Sequence, residues 1–126
     1  MTNSQQNTPS TITVRFGEPI LEAGFTVVPN LILRSYTALG ISPIEMMFVI
    51  HVWEYWWTER DPYPALGTIA ERMGMTRRNA RRHVQSLRDK GLLIVNERIS
   101  GDGQTTSEYD FEPLIRAVLE LSTPLG

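Results

Sequence analysis

The chain has 126 residues, of which 41% are hydrophobic and 21% charged, and it contains no cysteine. That is the size and composition of one globular domain; it excludes a collagen-like, disordered or disulfide-stapled chain, a thiolate nucleophile and a cysteine-built zinc site. The formal charge is −2, from 12 basic against 14 acidic residues, which taken globally argues against a polyanionic partner.

Residues 1–11 are mostly Ser, Thr, Asn and Gln, too polar to bury anything, and read as a disordered lead-in. They have neither the basic start nor the apolar core of an export signal. Ile12-Thr13-Val14-Arg15-Phe16 alternates apolar and polar, the period of a short strand, which Gly17 and Pro19 end. Phe25 to Val28 is a second β-prone piece. Pro29 then opens a helix to about Ala38, with Gly40 as its stop.

Ser42-Pro43-Ile44-Glu45 combines an N-cap serine, a proline at the first helical position and a glutamate that closes a capping box. The helix it starts is expected to run to about Thr58. Met46, Val49, Ile50, Trp53 and Trp57 form one apolar stripe, while Phe48, Val52 and Tyr55 form a second. A helix apolar on two sides needs two covers, the domain itself and either the N-terminal segment or a second subunit. The longest apolar run, Met46 to Ile50, is far short of the ~20 residues that span a bilayer. A cytoplasmic protein without membrane contact is therefore expected.

Asp61-Pro62-Tyr63-Pro64 reads as a loop, and Thr68 to Met73 as a short helix ended by Gly74. Thr76 caps the next helix, which runs to Lys90 and stops at Gly91, with Ala80, Val84 and Leu87 on its core side. Leu92–Val95 and Glu108–Phe111 read as two strands of a hairpin with a mobile tip at Gly101-Asp102-Gly103. Pro113 starts a last amphipathic helix through Leu121, and residues 122–126 form a tail. The expected fold is mainly α with a small β-hairpin. It is a single winged helix-turn-helix domain over residues 12–121 with N- and C-terminal extensions.

The modest total charge hides an asymmetry. From Ala70 to Gly91 there are seven basic residues against Glu71 and Asp89, a net +5, so the remainder carries −7. Opposite Ala80, Val84 and Leu87 the helical wheel places Arg78, Arg81, Arg82, Gln85 and Asp89, with Arg77 and Asn79 beside the first turn. A helix held at an angle by a second one, with a basic outer face, fits the major groove of B-DNA. Arg78 and Arg82, outermost and one turn apart, suit guanine edges, and Asn79 and Gln85 suit adenine. Thr76, Arg77 and Arg81 suit phosphates, which position the protein without reading sequence. The plain alternative, a solvated arginine-rich face, is weakened by the cap and the helix-glycine-turn that precede it.

At these residues the chain resembles bacterial winged-helix DNA-binding proteins, over Leu66 to Leu93 and its core Ile69-Ala70-Glu71-Arg72-Met73-Gly74-Met75-Thr76-Arg77-Arg78-Asn79-Ala80. Val28-Pro29-Asn30 ahead of Ile41-Ser42-Pro43-Ile44-Glu45 narrows the likeness to bacterial and phage replication proteins, including replisome organisers and DnaD-type N-terminal domains. The resemblance spans Phe25 to Leu121. It implies that the second helix of the motif enters the groove through Thr76, Arg77, Arg78, Asn79 and Arg82, and it implies a replication-protein partner.

The wing departs from that pattern. Glu97, Asp102 and Glu108 accompany a lone Arg98, so wing contact is expected to be weak, limited to Arg98, Gln104 and Thr105. Trp53, Trp56, Trp57 and Tyr55 read as packing residues, and His51 and His83 lack the companions a metal or catalytic site needs. The expectation is a non-enzymatic protein without metal or cofactor that binds double-stranded DNA as a homodimer, as a replication accessory or transcriptional regulator. A protein–protein assembly module is the alternative, and a regulator with a ligand pocket at the tryptophans a third reading.

Overall fold

In the computed structural model, residues 11–56, 63–99, 101–103 and 105–122 are described. The polar lead-in up to residue 10, Trp57 and Thr58, Gln104 on the wing and the tail beyond Ser122 lie outside them; the helix expected to reach Thr58 ends at Trp53, with Glu54 and Tyr55 already in a turn. Helices α1 (Thr11–Phe16), α2 (Glu18–Leu21) and α3 (Asn30–Ser35) precede α4 (Pro43–Trp53), α5 (Leu66–Arg72) and α6 (Arg77–Asp89). Strands β1 (Ile94–Ile99) and β2 (Thr105–Asp110) follow, and α7 (Glu112–Ser122) closes the order.

The expected strand at Ile12–Phe16 is helix α1 instead. A strand leaves its backbone groups to a neighbour, and the sheet among the described residues consists of β1 and β2 alone. A helical turn satisfies them locally, as the 2.8 Å bond from the Gly17 N–H to the Thr13 carbonyl shows. Phe25–Val28 likewise joins no ladder.

The capping box forms as its residues require: Ser42 Oγ accepts the Glu45 N–H at 3.1 Å, and Glu45 Oε1 accepts the Ser42 N–H at 2.7 Å. The described residues of both stripes of α4 are covered from within the chain. Phe48, Val49 and Val52 are fully buried and Tyr55 is half-buried. The Phe48 ring meets Tyr109 of β2 edge-on at 6.3 Å, and Trp53 meets Phe111 the same way at 5.8 Å. The second cover of α4 is thus the hairpin and its sequel, so the stripe needs no other subunit. Trp56, by contrast, stacks on Trp53 and stays 40% exposed.

Helix α6 is fixed by both ends. Thr76 Oγ1 accepts the Asn79 N–H at 3.1 Å. At the other end Gly91, at φ 73°, takes the left-handed turn, and the Leu92 N–H reaches back to the Leu87 carbonyl at 3.0 Å. That bond spends the Leu92 donor on the helix, so β1 starts at Ile94 and not at Leu92. From there the hairpin pairs antiparallel from Ile94↔Asp110 to Ile99↔Thr105, longer than the apolar pattern alone suggests. Leu114 and Val118 bury the inner face of α7, which packs against α3.

Candidate nucleic-acid interface

Ala80, Val84 and Leu87 are buried beneath α6, and packing against α5 and α4 holds the helix from that side. The 3.6-residue period then leaves Arg77, Arg78, Asn79, Arg81, Arg82 and Gln85 outside, and all six are exposed, as is Thr76 at the cap. Of the seven basic residues in the stretch, two are committed to partners within the chain. Arg72 is ion-paired with Glu54 and lies 5.5 Å from the centre of the Tyr55 ring. Lys90 holds Glu45 Oε1 at 2.6 Å and the Gly40 carbonyl at 2.7 Å. Arg77, Arg78, Arg81, Arg82 and Arg88 have no carboxylate partner among the described residues. Gln85 does have one neighbour, since its side-chain amide donates to Asp89 at 2.8 Å.

Five unpaired guanidiniums on one face make a field that the total charge conceals. Arginine's planar fork carries paired donors matched to phosphate oxygens or to the O6/N7 edge of guanine. Arg98 does not join them. Val95 and Glu97 face α6, so strand alternation puts Arg98 on the other side of the hairpin, where it binds the buried Glu108 at 3.0 Å.

Behind the interface, Glu45 ties the start of α4 to the end of α6. Burial pushes its pKa up, but hydrogen bonds from Lys90, the Ser42 backbone and Ser86 outweigh that and hold it at about 2. Sequence reading missed this contact, because Lys90 and Ser86 lie more than forty residues from Glu45 and no local pattern joins them. It also missed Arg88 and Gly67. The Arg77 guanidinium lies so close over Gly67 that a Cβ there would sit 2.8 Å from its terminal nitrogen. A glycine inside a helix, where alanine is favoured, was the available signal.

Among the described residues there is no cluster of three or more metal-ligating side chains, and no helix is long and apolar enough to cross a membrane. The profile of the DnaD N-terminal domain family matches residues 28–124. No curated protein matches the chain in sequence. The crystal structure of the N-terminal domain of DnaD protein from Geobacillus kaustophilus HTA426 superposes with a TM-score of 0.64 at 23% identity, covering 82% of this chain and 84% of that one. At that identity the likeness speaks for the winged-helix fold, and the profile match over most of the sequence speaks for descent: the chain belongs to the DnaD N-terminal domain family.

Proposed function

We propose that this protein is a non-enzymatic, double-stranded DNA-binding accessory of replication, with α6 as the element that enters the major groove. The observation that carries the reading is the solvent side of α6, capped by Thr76 and packed on α5, where Arg78 and Arg82 stand outermost and Arg77, Arg81 and Arg88 lie toward the hairpin, none of the five ion-paired among the described residues. Arg78 and Arg82 reach base edges, with Asn79 and Gln85 beside them, while Thr76, Arg77 and Arg81 hold phosphates. Family membership favours replication over transcriptional regulation as the setting.

Titration of a labelled duplex at two salt concentrations, with Arg78→Ala and Arg82→Ala beside wild type, tests the proposal. With about four phosphates neutralised, log affinity falls against log salt with a slope near −4, and each substitution costs about 1–3 kcal/mol at its preferred base. Salt-independent binding, or indifference to both substitutions, overturns it.

A second reading, assembly with another protein copy, is favoured by the apolar side chains left outside. Ile12, Val14, Phe16 and Ile20 in α1 and α2, and Leu119 and Leu121 at the end of α7, are all exposed. Homodimerisation through one of these surfaces would bring two α6 helices into one assembly, able to read two half-sites where their spacing matches about one DNA turn. Sedimentation of a monomer at micromolar concentration excludes that arrangement.

A further inference from the structure

The hairpin stands away from α6 and leaves a cleft of about 550 Å³ between them. Arg77, Arg81 and Arg88 line one wall; Thr105 and Ser107 of β2, on the same face of the hairpin as Glu97, supply hydroxyls on the opposite side; and Val84 and Tyr109, both buried, belong to the lining as well. Glu97 is the single acidic residue of the lining, and none of the three arginines is ion-paired among the described residues.

The placement of these arginines is informative. Steps of four and seven residues return nearly to the same direction, so the three lie within about 40° of one another around α6 and form a row roughly 16 Å long. A compact anion would need them to converge on a point; a row suits an extended chain of charges. Guanidiniums facing hydroxyls suit phosphodiester oxygens, which accept charge-assisted bonds from one wall and neutral ones from the other. Gly67 leaves room for the near end of the row, because the Arg77 guanidinium lies across it where a Cβ would stand.

We infer that this cleft is a clamp for one sugar–phosphate strand, in which α6 supplies the charge and the wing supplies hydroxyl donors. It rests on the DNA-binding reading of α6 and deepens it, since the groove face reads bases while the cleft grips the backbone beside them. The acidic residues of the wing do not oppose such a clamp. Arg98 and Glu108 belong to the far face of the hairpin and Asp102 to its tip, so the inner wall can meet a polyanion with Glu97 as its one carboxylate.

The test uses the whole chain and a labelled duplex titrated over a range of salt, with thermal unfolding as the control for folding. Arg88→Ala should weaken binding about ten-fold on every sequence and make the salt slope shallower by about one. Thr105→Val with Ser107→Ala should weaken binding several-fold and leave the slope unchanged, because no charge is removed. Gly67→Ala should also weaken binding, although it keeps every charge and suits a helix better than glycine does.

If these variants bind as wild type does while Arg78→Ala and Arg82→Ala lose affinity, the clamp is refuted and the groove reading survives. If wild type binds no duplex at low salt, both fail. Poly-glutamate and inorganic polyphosphate serve as competitors. Displacement by poly-glutamate at equal charge concentration, sensitive to Arg88→Ala, would reassign the cleft to an acidic protein segment and overturn the proposal. Displacement by polyphosphate alone supports phosphate recognition, and a preference for duplex over polyphosphate locates the source in nucleic acid.

Discussion

Glu45→Gln isolates the charge that binds α4 to α6. The amide keeps the acceptor that Ser42 needs, so the capping box survives, but it withdraws the charge that Lys90 and Ser86 address. In wild type the folded-state pKa is about 2 against an ordinary 4.5. A depressed carboxylate contributes stability that is complete above the unfolded-state value and disappears as pH falls through the folded-state one. At 1.36 kcal/mol per unit, that contribution is about 3 kcal/mol at neutral pH, shrinking by about 2 kcal/mol by pH 3. Urea unfolding of both proteins at pH 7 and pH 3 measures it, with a fall in Tm of roughly 10 °C at pH 7 as the thermal counterpart. Other carboxylates titrate in both proteins and cancel in the difference. A wild-type-to-variant gap that is near zero at pH 7, or that stays constant between the two pH values, would refute the argument.

Three further outcomes follow from the geometry. Thr76→Ala removes the acceptor for the Asn79 N–H and should cost about 1 kcal/mol, read as a lower urea midpoint with an unchanged slope. Gly91→Ala meets no atom within 4 Å, so its cost of about 1–2 kcal/mol is the strain of φ 73° alone, and Asn at the same position should recover part of it in the same assay. Arg98→Ala should leave DNA affinity and its salt slope as in wild type, since that side chain belongs to the far face of the hairpin; a ten-fold loss in the duplex titration would contradict this placement.

Legibility in the sequence followed distance along the chain. The caps at Ser42 and Thr76 and the stop at Gly91 are written within four or five residues, because each is a bond between near neighbours. The buried triplet Ala80, Val84 and Leu87 is equally plain from its period, and it fixes which arginines of α6 face outward. The segment Ile12–Phe16 misled, since five alternating residues carry too little pattern to distinguish a strand from a short helix. The covers of α4 were visible as a need, but their identity in Tyr109 and Phe111 depends on how the hairpin returns, which no local signal records. The cleft is further removed still. Arg88 and Ser107 come to face one cleft through tertiary packing, and only the oddity of a glycine at position 67 hinted that a side chain from elsewhere lies there.

The lopsided charge of this domain has a consequence for how it meets a partner. With −7 in the rest of the chain and +5 in residues 70–91, positive charge is concentrated along the exposed side of α6. A polyanion approaching elsewhere would meet net negative charge, while one near α6 would be drawn in and would exert a torque that turns α6 toward it. Encounters are thereby pre-oriented before any contact forms. Added salt should shorten the reach of that torque to within about a Debye length, slowing productive docking more steeply than a uniformly basic surface would show.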